Sequence, residues 1–187
     1  MTGGAGETEA ADLEVRGSGP ADECFAENAS ALIRAAAVDN DIALRSVEWL
    51  SEKLRSGKAA LAIFDGELVG FGYWSAWEGG AFVSHSGLVV RSEAQGRGLG
   101  RRLKLVLLES GRKAYPDAKV ISLTTHPAIK RLNRSLGFVD VAIETLTRDP
   151  DFWAGCAGCR NYPEVKRRGG ICCCDAMMLD PKQLEMR

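Results

Sequence analysis

The sequence predicts an α/β (α+β) fold, and three observations predict it. The stretch Gly87–Glu109, GLVVRSEAQGRGLGRRLKLVLLE, runs from an apolar segment through a glycine-rich turn into an amphipathic pattern. Leu88-Val89-Val90 has the β-branched content of a buried strand. Leu99, Leu103, Val106 and Leu107 then fall on one face of a helix. Upstream, Ala59–Phe64 and Glu67–Trp74 are strand-like runs joined by Asp65-Gly66, a strong hairpin turn. Helical and strand-like stretches interleave along the rest of the chain.

Taken in order, residues 1–12 are small, polar and acidic, as in a disordered leader. Leu13–Arg16 reads as a short strand. Pro20-Ala21-Asp22-Glu23 starts a helix that runs to about Ala37, with Cys24 as buried filler. Asp39-Asn40-Asp41 breaks it, and a second helix from about Ser46 to Arg55 puts Val47, Leu50 and Leu54 on one face before Gly57. After the hairpin, Glu78-Gly79-Gly80 turns the chain into a strand at Ala81–Val90. Lys119–Thr124 is another strand, Pro127–Leu136 a short helix ended by Gly137, and Phe138–Thr147 and Cys172–Leu179 the last two strands. Residues from about 150 to 174 look like an insertion, rich in Gly and Cys with a Lys166-Arg167-Arg168 run that reads as solvated charge. Residues 13–187 thus form a single domain.

Composition bounds the function. The chain has 187 residues, 45% hydrophobic and 26% charged, with a net charge of −1. That is ordinary for a globular domain and argues against a dedicated nucleic-acid binder. No run reaches membrane-spanning length and no secretory signal is visible, so the expected setting is cytoplasmic, with no membrane partner. The six cysteines are then better read as thiols or metal ligands than as disulfides.

The turn at Gln95-Gly96-Arg97-Gly98-Leu99-Gly100 has the makings of a phosphate site. Glycines let backbone approach an anion, and the first-turn amides of the following helix point outward with the positive dipole end behind them. Arg97, Arg101, Arg102 and Lys104 add charge around the same mouth. No Lys-Ser or Lys-Thr follows as in a P-loop, and Leu103 stands where a dinucleotide fingerprint needs its third glycine. The segment matches Q/R-x-x-G-x-G/A through Gln95, Gly98 and Gly100. This resembles the acyl-CoA pyrophosphate loop of the GNAT superfamily of N-acetyltransferases, and Leu136-Gly137-Phe138 supplies a second matching segment. The resemblance covers about Leu13 to Asp180.

The resemblance implies a central, mixed, mostly antiparallel sheet of about seven strands, splayed at the acyl-CoA cleft, with about four helices. It implies acetyl-CoA as cosubstrate, its pantetheine paired with Leu88, Val89 and Val90. The pyrophosphate would lie on the loop headed by Gln95, taking amides from Gly96, Arg97, Gly98, Leu99, Gly100 and Arg101. A small-molecule or peptide amine would attack the thioester directly, and a homodimer is compatible with the family. At the place of the family's thiolate-protonating tyrosine stands Asn133, which can donate a hydrogen bond but not a proton. It is therefore expected to stabilise the thiolate only, the alternatives being another acid or a thiolate that leaves unprotonated. His126 replaces the asparagine that often begins the same helix. A base is expected on the strand feeding the loop. That place holds Ser84, with Ser86 on the same face and His85 on the opposite one unless a bulge re-aims it. Glu144 and Glu78 are further candidates.

Cys156-Ala-Gly-Cys159 and Cys172-Cys173-Cys174 form the second unusual feature. The first pair resembles half of a zinc ribbon, and on a strand Cys172 and Cys174 face one side. Cys156, Cys159, Cys172 and Cys174 are therefore the candidate ligands of a zinc ion. Redox thiols, one of them serving as the missing proton donor, and plain packing are the alternatives. Two further function classes remain beside the acetyltransferase: a non-catalytic acyl-CoA-binding or regulatory module, and a metal-stabilised interaction protein.

Overall fold

In the computed structural model, which describes residues 12–184, seven strands form one sheet in the order β1-β2-β3-β4-β5-β7-β6. The expected leader lies almost wholly outside the described residues. The strands are β1 (Leu13–Gly17), β2 (Ala59–Phe64), β3 (Glu67–Trp77), β4 (Phe82–Val90), β5 (Lys119–Thr124), β6 (Val139–Val141) and β7 (Asp175–Leu179). All neighbours are antiparallel except β4 and β5. Four helices of nine residues or more pack on the sheet: α1 (Ala26–Ala37), α2 (Val47–Arg55), α3 (Leu99–Ala114) and α4 (Pro127–Ser135). Three shorter ones follow, α5 (Pro150–Ala154), α6 (Tyr162–Arg167) and α7 (Pro181–Leu184). Among the described residues no helix is long and apolar enough to cross a membrane.

The core lies on both faces of the sheet. Ala29 and Ile33 of α1 and Leu50 and Leu54 of α2 meet Leu61, Leu68 and Phe71 on one side. Leu99, Leu103 and Leu107 of α3 meet Ala60, Ala62, Val69 and Val83 on the other. Beyond the middle of the sheet, Leu108 and Phe138 pack with Val120, Met177 and Leu179.

The feature that positions the site is the parting of β4 from β5. The two strands pair only through Phe82–Ser84 and Lys119–Ile121, so the edge of β4 from His85 to Val90 faces no neighbouring strand on that side. On its other side β4 bulges: Val89 is opposite Phe71 and Ser86 opposite Tyr73, leaving Gly87 and Leu88 against Gly72 alone. Gly87 has φ of 61°, and a Cβ there would lie 2.5 Å from the Tyr73 ring, so this kink admits only glycine.

Several boundaries differ from those read from sequence. Pro20–Phe25 is a 3-10 helix ahead of α1. Its tighter turn leaves Cys24 exposed, donating to the Ala21 carbonyl, instead of buried. The strand expected over 138–147 is only β6, because its partner β7 begins at Asp175 and offers three pairs. Residues 172–174 are likewise not strand, since β5 ends at Thr124 opposite Asp175. The insertion is not merely loop. It folds as α5, a 3-10 turn over Gly155–Gly158, and α6, with Arg167 and Arg168 both paired to Glu164.

Candidate active site

Two cavities meet at the kink in β4. The larger, of about 390 Å³, runs from the glycine loop along Leu88–Val90 to His85, with α4 and the end of β5 as its far wall. The smaller, of about 190 Å³, lies across the sheet under the 38–45 linker and the cysteine segment. Ser86, Gly87, Asp41, Ile42 and Leu123 line both, so the two communicate there.

The larger cavity opens onto a backbone cradle. Gly96 and Gly98 have φ of 77° and 74°, and Gly98 is the N-cap of α3. Neither would meet anything within 4 Å if it carried a Cβ, so the left-handed backbone, not crowding, calls for glycine. Among the described residues the amides of Gly96, Arg97 and Gly98 find no acceptor. Leu99 and Gly100 are the first two residues of α3, whose amides have no helical partner. These five unpaired amides lie in consecutive residues at the positive end of α3, an arrangement suited to a diphosphate. The Arg101 amide, expected to join them, donates instead to the Gly98 carbonyl at 3.1 Å, and its side chain donates to Ser135. Gln95 Nε2 donates to the Val90 carbonyl, which ties the loop to the strand end.

The residues expected to act on the thioester are dispersed. Ser84 lines the smaller cavity, but its hydroxyl accepts a hydrogen bond from Trp77 Nε1 at 2.8 Å. His85 remains on the opposite face, because the bulge falls two residues later. It is 5% exposed, with neither ring nitrogen bonded. Burial, and then the charges of Lys104 and Arg112, lower its pKa well below the usual imidazole value, so it is neutral. Asn133 is fully buried in α4, its amide directed at Met177 Sδ, and it does not line the larger cavity. Glu78 holds the Thr147 hydroxyl and the Arg148 amide and lines neither cavity. Glu144 is exposed on a 3-10 turn instead of a strand.

Lys104 is the residue that sequence reasoning misplaced. It does not ring the mouth of the loop but is 1% exposed, lining the larger cavity, with Nζ 4.9 Å from the centre of the Phe138 ring. The signal was present: Lys104, Leu107, Leu108 and Gly111 fall at i, i+3, i+4 and i+7, on the buried stripe of α3.

The smaller cavity is aromatic and cationic. Trp49, Tyr73, Trp77 and Phe152 line it beside Arg45, whose guanidinium lies 5.5 Å from the Trp49 ring centre. Arg45 Nη1 donates to the Gly155 carbonyl, and the Leu44 amide to that of Gly158. Arg160 pairs with Asp41, which also accepts from Thr125. These bonds fix the cysteine segment as one wall. Cys156, Cys159, Cys172, Cys173 and Cys174 all face the cavity. The sulfurs of Cys172, Cys173 and Cys174 lie within 4.8 Å of one another. The Cys174 amide donates to the Cys172 sulfur at 3.4 Å, and the influence of the neighbouring Cys156 and Cys174 thiols lowers the pKa of Cys172 and raises their own.

A sheet splayed between β4 and β5, with a glycine cradle at the mouth of the splay, is the architecture of the α/β GNAT fold. The chain belongs to the acetyltransferase (GNAT) family, whose family model matches residues 24–138. No curated protein sequence matches it. Among solved structures it is similar to N-acetylglutamate synthase from Neisseria gonorrhoeae, solved with coenzyme A and N-acetyl-glutamate, at 19% identity and a TM-score of 0.65. That match covers 92% of this chain and 36% of the other, so this chain spans about a third of that protein's length. It is similar to yncA from Salmonella typhimurium, solved with acetyl-CoA, at 18% identity and a TM-score of 0.63, covering 91% of this chain and 94% of the other. Ribosomal-protein-alanine N-acetyltransferase from Brucella melitensis matches at 25% identity and a TM-score of 0.58, over 69% of this chain and 86% of its own.

Proposed function

We propose that the protein transfers an acetyl group from acetyl-CoA to the primary amine of a small acceptor, by direct attack in a ternary complex. The observation that carries this reading is the junction at Ser86–Gly87. There a free strand edge leading from a diphosphate cradle meets a second cavity of different chemistry. The pantetheine amides pair with Leu88–Val90 as an added strand would, which brings the thioester to the kink. The acceptor enters from the aromatic side, where Arg45 offers a counter-charge to an acidic acceptor. The oxyanion is received by amides that the bulge frees from the β3 ladder, a role supported by the register shift there. The experiment is thiol release from acetyl-CoA with a panel of amines and amino acids. Amine-dependent release, with the acetylated product identified by mass, supports the reading. Coenzyme A binding with no transfer to any amine contradicts it in favour of an acyl-CoA-binding module.

We also propose that Cys156, Cys159, Cys172 and Cys174 hold one zinc ion. These four are half-buried against the cavity, whereas Cys173 is exposed and takes a hydrogen bond from Asn161. Tetrahedral thiolate sites place sulfurs roughly 3.8 Å apart, and the Cys172 and Cys174 sulfurs already lie within 4.8 Å of each other. The ion would be structural, fixing the acceptor wall. Metal analysis of the purified protein should give one equivalent of zinc, lost in Cys172→Ser; absence of metal from protein purified without chelator contradicts it.

A further inference from the structure

The inner end of the cofactor cavity holds a charged group that nothing in the scheme above uses. Lys104 is buried, its ammonium forms no hydrogen bond or ion pair among the described residues, and it lines the same cavity as Leu88–Val90. A solitary ammonium is costly to bury, and the stripe around it is otherwise leucine and glycine. The Lys104 ammonium lies over the face of Phe138, 4.9 Å from the ring centre. The same ring lies 6.5 Å from that of His85, which shares the cavity wall. Asn133 meanwhile is turned to Met177 and away from the cavity. Asn133 therefore offers the cavity no donor, whereas Lys104 of α3 offers an unpartnered one.

We propose that Lys104 is the acid that protonates the departing coenzyme A thiolate. This rests on the acyl-transfer reading above. The acceptor nitrogen forms a bond to the thioester carbonyl carbon, and the tetrahedral oxyanion collapses. The carbon–sulfur bond breaks with its electron pair on sulfur. The Lys104 ammonium gives that sulfur a proton, leaving coenzyme A as the thiol and Lys104 as the neutral amine. The proton shed by the acceptor nitrogen goes to solvent, and Lys104 takes one back from solvent as product leaves. Burial lowers Lys104 to about 7, where an amine can both give and regain a proton at neutral pH. The titratable and charged groups acting on this corner are Lys104 itself, the neutral His85 of β4 and Arg112 of α3. Asn133 of α4, Ser122 of β5 and Met177 of β7 add no charge.

The test compares wild type with Lys104→Met, using acetyl-CoA and a simple aryl thioester, S-acetyl-4-nitrothiophenol, whose thiolate leaves without a proton. Lys104→Met should lose about 100-fold or more in kcat with acetyl-CoA. It should keep coenzyme A affinity within threefold by calorimetry, and a circular dichroism melt no lower than wild type. Its alkaline limb in the kcat–pH profile should vanish, and its rate with the aryl thioester should stay within threefold of wild type. A kcat within threefold of wild type with an unchanged alkaline limb overturns the assignment. So does an equal loss with both thioesters, or a loss confined to coenzyme A affinity, which makes Lys104 a binding residue. Wild-type protein that binds coenzyme A and acetylates no amine overturns the acyl-transfer reading, and this assignment with it.

Discussion

The two halves of the site are built by opposite means. The proposed cofactor half is backbone: a free strand edge, a bulge and amides at one helix end, all drawn from residues 87–100. The proposed acceptor half is side chains: Arg45, Trp49, Tyr73, Trp77, Phe152 and the cysteines, brought together from segments more than a hundred positions apart. A half made of backbone tolerates changes of side chain and fails when a glycine is lost. A half made of side chains can be retuned one residue at a time. The two should therefore break separately.

Between the two halves, the largest difference should come from Gly98→Val. A β-branched residue at φ of 74° is strained by roughly 1–3 kcal/mol, and the branch fills open space at the cradle. Coenzyme A affinity by calorimetry should fall about 100-fold, roughly 2.7 kcal/mol, while acceptor-side fluorescence from Trp49 and Trp77 stays unchanged. Next, removing the proposed metal by chelator or Cys172→Ser should raise acceptor KM roughly tenfold, about 1.4 kcal/mol, with coenzyme A affinity intact. If both ligands weaken equally, the halves are not independent.

A third effect bears on stability. Lys104 titrates near 7 when folded and near 10.4 when unfolded. Between those values the unfolded chain binds the extra proton, so stability rises with pH by up to about 1.4 kcal/mol per unit. Below about 7 both states are protonated and the slope ends. Urea denaturation of Lys104→Met should lack that slope and give a more stable protein at pH 7. The smallest effect should be Ser84→Ala. Its hydroxyl only accepts from Trp77, and kcat should stay within about threefold, against the 100-fold or more expected of a general base.

The contrast also explains how far the sequence could be read. The strand, loop and helix of residues 87–109 are local, so period and glycine spacing disclose them, and the Asp65-Gly66 hairpin likewise. The acceptor wall depends on Arg45 reaching Gly155 and Arg160 reaching Asp41, contacts that no local pattern announces. Lys104 was hidden for a different reason. Lysine beside Arg101 and Arg102 reads as surface charge unless its i+3 and i+4 neighbours, Leu107 and Leu108, are given more weight than its type. Cys172–Cys174 look like strand in the sequence because alternation cannot show where a partner strand stops.

The most direct measurement is a crystal structure with coenzyme A. The account predicts the pyrophosphate on the amides of residues 96–100, pantetheine paired along Leu88–Val90, and the sulfur at Gly87, open to the aromatic cavity on one side and within reach of Lys104 on the other. A cofactor bound elsewhere, or with its sulfur turned away from the β4 kink, would contradict it.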